Sequence, residues 1–346
     1  MSGASGASGA SSVRSGILLI DKPQDWTSHD VVARVRRLAG TRKVGHAGTL
    51  DPMATGLLVL GIGSSTRLLT YLVGADKEYT ATIRLGASTT TDDAEGEFTG
   101  VASARALADL TTDAVTAAIA RLTGRIQQVP SSVSAIKIDG KRAYARVRGG
   151  EDVVLPARPV TVSIFELLEQ VAVGAANAGA DALDLTVRIE CSSGTYVRAL
   201  ARDLGKDLGV GGHLTVLRRT RVGSFVVAAA SDLESVDVRS ALIAPADAAT
   251  ILFGRYTLTQ EQAIDLGHGK KLATAFEQPQ GVPLAAIAPN GRLVGLIEFR
   301  GSTARSLVNF PQNDGPPPTV TVKPAGTDQA AGTVQPAGLE QPEDDA

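Results

Sequence analysis

The stretch GHAGTLDPMATGLLVLGIG, residues 45–63, constrains the fold more than any other part of the chain. Its first half is a loop in which Gly45, Gly48 and Gly56 allow close backbone approach and Asp51-Pro52 opens a turn. Its second half, LLVLGI, is a continuous apolar run of strand length, the pattern of a buried strand. A loop set on such a strand can present side chains freely. His46 and Asp51 are the ionisable side chains it presents. Asp51 is either a turn carboxylate that bonds neighbouring N–H groups or a reactive group, and the local sequence leaves both open.

The surrounding chain supplies strands and helices in no strict βαβ alternation, so the predicted class is α+β with a mixed sheet. GILLIDKP (16–23) reads as a buried strand. Ser28 is the expected cap of a helix with Val31, Val32, Val35 and Leu38 on one face and Gly40 at its end. A short helix is expected over 64–72, a strand over 78–86, an acidic loop over 89–98 and an amphipathic helix over 112–123. Segment 134–150 reads as a strand, an Asp-Gly turn and a basic helical piece. Strands are expected at 158–169 and 182–191, joined by the low-complexity loop VGAANAGAD. A helix opening at GTYVR and a basic strand at 213–223 follow. Residues 252–310 read as a small module with one helix and a hairpin turning at Asn290-Gly291.

Charge separates these regions. The chain holds 34 Lys and Arg against 36 Asp and Glu. Residues 311–346 contain six acids and one base, which leaves 33 bases against 30 acids elsewhere. Segment 121–148 carries Arg121, Arg125, Lys137, Lys141, Arg142, Arg146 and Arg148 against Asp139 alone. Such a patch suits a phosphate backbone, or is a solvated face. No apolar run reaches the roughly 18 residues of a membrane span. The N-terminal MSGASGASGASS lacks the pattern of a signal peptide. Residues 1–14 and 311–346 are expected to be disordered on composition. With one cysteine, Cys191, the chain has no internal disulfide and no cysteine-based zinc site, and a reducing cytoplasm fits.

Nucleotide chemistry is poorly supported. GIGSST (61–66) follows a strand but lacks the third glycine of a dinucleotide loop, and no GxxxxGK[ST] occurs. His29, His46, His213 and His268 have no metal-ligand spacing, so no metal is expected. Arg198, early in a helix, reads alone as an exposed arginine. It is also the residue type that keeps a nucleophilic carboxylate ionised. Tyr79 and Tyr196 are packing residues or aromatic faces for an unstacked base.

Five motifs in this order, LLIDKPQDWTS, GHAGTLDPMATGLLVLGIG, KEYTATIRLG, SAIKIDGKRAY and CSSGTYVRALARDLG, resemble the TruB family of tRNA pseudouridine synthases over roughly residues 15–225. The resemblance implies a pseudouridine-synthase fold, with a mixed, largely antiparallel sheet flanked by helices and loops. It implies a catalytic domain over 15–250 with an RNA-gripping insertion at about 125–157, and a small PUA-like module over 252–310. The implied reaction converts the uridine at position 55 in the T-loop of tRNA to pseudouridine, without cofactor or metal, in a cytoplasmic monomer with no obligate protein partner. Carried over by motif, Asp51 is the nucleophile, Arg198 its charge partner, and Tyr79 the stacking and proton-transfer residue. His46 contacts the RNA, Tyr196 and Leu217 line the pocket, and Lys22 lies close to it. Lys137, Lys141, Arg142 and Arg146 fall in the RNA-gripping insertion. Attack by Asp51 at C1′ of the ribose or at C6 of the uracil is left open. A non-catalytic tRNA-folding protein is the alternative.

Overall fold

The computed structural model describes residues 14–131, 137–138, 141–142, 155–177, 179–273 and 278–311. The chain opens with β1 (Gly16–Lys22), helix α1 (Ser28–Ala39), β2 (Val44–His46) and β3 (Thr55–Ile62). A 3-10 turn (Gly63–Arg67) and the short helix α2 (Leu69–Val73) share the span expected as one helix, and β4 (Lys77–Leu85) follows. Next come β5 (Ala87–Thr89), β6 (Phe98–Val101), α3 (Ala104–Ala108), α4 (Thr112–Arg121) and β7 (Gly124–Gln128). The two-residue strands β8 (Lys137–Ile138) and β9 (Lys141–Arg142) pair antiparallel, and the Asp139-Gly140 turn expected between them lies outside the described residues. The helical piece expected after them lies outside the described residues.

β10 (Arg158–Asn177) and β11 (Ala180–Cys191) form one long hairpin. This corrects the expected loop at VGAANAGAD. Most of it is strand, paired as far as Asn177↔Ala180, with Ala175 and Gly179 at positive φ near the tip. Ala, Gly and Asn look like loop because the tip needs little apolar surface; pairing to the neighbouring strand holds it instead. Helix α5 (Val197–Asp207), β12 (Gly212–Val222), β13 (Phe225–Val226) and β14 (Ser231–Asp232) complete the main sheet. Its order is β14-β1-β3-β12-β4-β11-β10-β7, with β2 on β3 and β13 on β12. Only β1/β14 and β3/β12 pair parallel within it.

After α6 (Val238–Ala241) and α7 (Pro245–Phe253) come β15 (Arg255–Thr257), helix α8 (Gln260–Gly267), β16 (Leu272–Ala273), β17 (Pro283–Ile287), β18 (Leu293–Arg300) and β19 (Thr303–Asn309). The strands form a separate sheet of order β15-β17-β18-β19-β16. The Asn290-Gly291 turn is present, with Gly291 at φ 79°. A single hairpin was too small an expectation, because β15, β16 and β19 are short or polar in pattern.

The apolar run of β3 is explained by its surroundings. Leu58, Leu60 and Ile62 pack with Val31, Val32 and Val35 of α1. Leu57 and Val59 pack on the opposite side with Ala285, Ile287, Leu293 and Leu296 of the C-terminal sheet. A third cluster joins β4, β11, α4 and α5, and takes in Leu50, Met53 and Ala54 from the loop that precedes β3. The loop that carries Asp51 is thus set between the cores.

Candidate active site

The Asp51 loop is tied down at nearly every backbone position. Ser28 does not cap α1; Thr27 does, in a capping box with Asp30. Ser28 is buried instead, with its Oγ donating to the Leu50 carbonyl (3.1 Å) and accepting from the Leu50 N–H (2.9 Å). Lys22 Nζ donates to the carbonyls of Pro23, Trp26 and Pro52, the last at 3.2 Å. The Asp25 N–H also donates to Pro52 (2.9 Å). On the other side, the Arg219 guanidinium donates to Gly48 (3.0 Å), Thr49 (3.4 Å) and Leu57 (2.8 Å) carbonyls. Gly56 sits at φ 97° against Arg219, and a Cβ there would lie 2.3 Å from the Arg219 carbonyl oxygen. Only glycine lets β3 and β12 meet at this point.

With the backbone held, the Asp51 side chain is left 39% exposed, and its Oδ2 lies 3.1 Å from Arg198 Nη2. Arg198 is not an exposed helix arginine. Its side chain is 7% exposed, and Nη1 reaches Asp93 Oδ2 at 3.1 Å and the Thr91 carbonyl at 3.2 Å. The Asp93 side chain is 2% exposed and also accepts from the Glu95 N–H. One turn further along α5, Arg202 pairs with Asp92 (3.2 Å). The acidic 89–98 segment, expected as a polar loop, places Asp93 and Asp92 against two arginines spaced i,i+4 on one helix face. Its signal in the sequence was Asp92-Asp93 itself, with no hint of where the matching charge lay.

Asp51 and Arg198 border a cavity of about 260 Å³, together with Tyr79, Tyr196, Leu217, Lys77 and Arg219. The structure therefore brings five of the seven residues named above for catalysis and the pocket to one cavity wall. Tyr79 is buried, and burial pushes its phenol above the usual range while the Arg219 cation pulls the other way. The Tyr196 backbone is clamped at both polar groups by the buried Gln128 amide (2.8 and 3.1 Å). Lys77 bonds the Val73 and Ala75 carbonyls, and burial lowers its pKa. Gln128, Lys77, Arg219 and Asp93 were missed from sequence. Each lies on a different element, and only the fold joins them.

The other two residues lie off the cavity wall. Lys22 supports the loop from beneath; burial lowers its pKa to about 8, while Asp25 and Asp51 act in the opposite sense. His46, on β2, meets His29 edge to face at 5.9 Å, and its Nδ1 is buried without a hydrogen bond. Burial lowers its pKa, partly offset by the Gly48 carbonyl. Lys137 pairs with Arg142, and Lys141 with Ile138, in the β8–β9 ladder, while Arg146 lies outside the described residues. Among the described residues no three His, Cys, Asp or Glu side chains are grouped to hold a metal ion, and no helix is long and apolar enough to cross a membrane.

Known proteins match the chain over most of its length. Residues 36–197 match the family model described as TruB family pseudouridylate synthase (N terminal domain). Residues 198–251 match tRNA pseudouridylate synthase B C-terminal domain, and residues 253–311 match tRNA Pseudouridine synthase II, C terminal. The chain is 65% identical over 303 residues to tRNA pseudouridine synthase B of Leifsonia xyli subsp. xyli, covering 87% of this chain and 98% of that protein. It is 55% identical to the protein of that name from Arthrobacter sp., covering 87% and 99%. Among solved structures, an H/ACA RNP bound to a substrate RNA containing 2'-deoxyuridine aligns with TM-score 0.63 at 22% identity, covering 87% of each chain. A Cbf5-Nop10-Gar1 complex aligns with TM-score 0.61 at 24% identity, covering 86% of this chain and 84% of the other. These two likenesses concern the fold. The family matches span most of the described residues, and the chain belongs to the TruB family of pseudouridylate synthases.

Proposed function

We propose that the chain isomerises one uridine of the tRNA T-loop, at position 55, to pseudouridine, with Asp51 as the nucleophile. One observation carries this reading: a half-open carboxylate at a cavity, ion-paired to an arginine that a second, buried carboxylate holds in place. Arg198 pairs with Asp51 and orients its carboxylate, as a nucleophile requires. A tRNA substrate is supported by the shared name of the relatives, tRNA pseudouridine synthase B.

Reaching a base in a folded loop requires extruding it, at a cost of a few kcal/mol. Stacking on Tyr79 returns about 1–3 kcal/mol of this. Tyr196 and Leu217 close the pocket around the base, and His46 meets the RNA at the rim. A covalent step through Asp51 divides one hard rearrangement into easier ones. The C1′–N1 bond breaks and C1′–C5 forms, the bond to Asp51 made on the way is released to restore its carboxylate, the C5 proton passes to solvent through Tyr79, and N1 takes up a proton from solvent. Lys137, Lys141, Arg142 and Arg146, with the module over 252–310, take the RNA backbone. The enzyme acts as a cytoplasmic monomer on the T-arm.

Chemical mapping of an unmodified tRNA transcript after incubation with the protein tests the site. A single new pseudouridine in the T-loop, lost when that uridine is replaced by cytidine, is the expected result. Modification in another arm would overturn the assignment.

A further inference from the structure

The cavity wall carries one carboxylate, Asp51, and three cations, Lys77, Arg198 and Arg219. Arg198 is matched by two carboxylates. Arg219 is 1% exposed, and among the described residues it donates to the neutral main-chain carbonyls of Gly48, Thr49 and Leu57 and is paired with no carboxylate. Burying a cation without a counter-charge is costly. Strapping the loop alone would not need a full charge, because neutral amide N–H groups also donate to carbonyls.

A second neighbour accounts for the choice. Arg219 on β12 stands directly opposite Tyr79 on β4 in the antiparallel ladder, and both side chains reach the same cavity. Directly opposed residues on one face have their Cβ atoms about 5 Å apart. A guanidinium has five N–H donors and no acceptor, so towards a phenol it can only donate. The Tyr79 phenol is hydrogen-bonded to the Arg219 side chain, so its oxygen accepts there and its own O–H points away from Arg219.

We infer that Arg219 is a positioning residue for Tyr79: by donating to the phenol oxygen it turns the Tyr79 O–H into the cavity, towards the base, while its other N–H groups hold the Asp51 loop. The inference rests on the reading that Tyr79 meets the base. The same cation also opposes the rise that burial imposes on the Tyr79 pKa, so the phenol exchanges its proton more readily. Arg219 thus couples the loop that carries the nucleophile to the group that handles the proton. Lysine could supply the charge but not the planar fork that serves Gly48, Leu57 and Tyr79 together.

The test is a double-mutant cycle on the full chain. Single-turnover rates and RNA dissociation constants are measured with T-arm RNA for wild type, Arg219→Gln, Tyr79→Phe and the double variant. Arg219→Gln is expected to slow turnover by about 100-fold, the scale of one lost polar contact at a reacting group. In the Tyr79→Phe background the same change is expected to cost less than about threefold, far from the additivity of independent sites. Rate effects that multiply in full would show Arg219 acting independently of Tyr79, and would overturn the inference while leaving the proposed function standing. A Tyr79→Phe enzyme at the wild-type rate would remove the Tyr79 reading itself, and this inference with it. If circular dichroism shows Arg219→Gln unfolded, the cycle is run with Arg219→Lys, which keeps the charge, and is judged by the same criterion.

Discussion

At the scale of the residue, Asp51 is defined by its partners. The sequence displayed Asp51 as a turn residue beside a proline, and it is one in the structure through its main chain: the Ala54 N–H donates to the Asp51 carbonyl. Its side chain, however, is free of the turn and paired with Arg198. That pairing was legible only through family likeness, because residues 51 and 198 share no local pattern. Asp93 was not legible at all, since an acidic loop looks alike whether solvated or buried. Burial changes what Arg198→Ala should do. The variant leaves Asp93 as an uncompensated buried charge, so it is expected to lose turnover and also about 3–5 kcal/mol of stability. Chemical denaturation checks this. A stability within about 0.5 kcal/mol of wild type would show that Asp93 finds another partner. Lys22 gives a pH signature. Its folded pKa, about 8, lies below the ordinary 10.5, so the unfolded chain binds the proton more tightly between these values. The Lys22 contribution to stability therefore rises as pH increases through that window. Denaturant melts of wild type and Lys22→Met across the same window should diverge upward for wild type. Parallel curves would mean that Lys22 titrates normally.

At the scale of the element, β3 explains itself. An uninterrupted apolar run demanded cover on both faces, and α1 and the C-terminal sheet provide it. The strand was therefore plain in the sequence, while its neighbour β10 was not. The extension of β10 is held by pairing to β11, a long-range feature that Ala, Gly and Asn do not announce. Glycines also differ in a way that only the fold reveals. Gly56→Ala would drive a Cβ into the Arg219 backbone at φ 97°, so the variant is expected to misfold or melt far below wild type. Gly124 has φ 90° but open space around its would-be Cβ. Gly124→Ala should therefore cost only the conformational term, about 1–2 kcal/mol. Thermal melts of the two variants should separate widely, and equal melts would contradict the close β3–β12 contact.

At the scale of the whole molecule, the C-terminal sheet is more than an appended module. The change of texture after residue 250 was readable, and it suggested a small second module. Ala285, Ile287, Leu293, Leu296 and Phe310 of that module share a core with Ile17, Leu19, Leu57 and Val59. Truncation before residue 253 would bare that face of β3, and the shortened chain is expected to aggregate or to lose its cooperative melt. A soluble truncated chain with the full-length melting temperature would show that the face is not needed. Charge acts over the same scale. Replacing Lys141, Arg142 and Arg146 by Ala is expected to reduce the slope of log affinity against log salt by about two to three, roughly one per lost phosphate contact. The central claim is that Asp51 performs the chemistry at this cavity, and tritium release tests it most directly. T-arm RNA labelled with tritium at C5 of the target uridine is incubated with wild type and with Asp51→Asn, and RNA binding is measured alongside. Release by wild type, none by Asp51→Asn, and equal RNA affinity for both are the expected results. Release by Asp51→Asn at the wild-type rate would contradict a nucleophilic Asp51, and RNA binding by wild type without any release would leave a tRNA-binding protein in place of an enzyme.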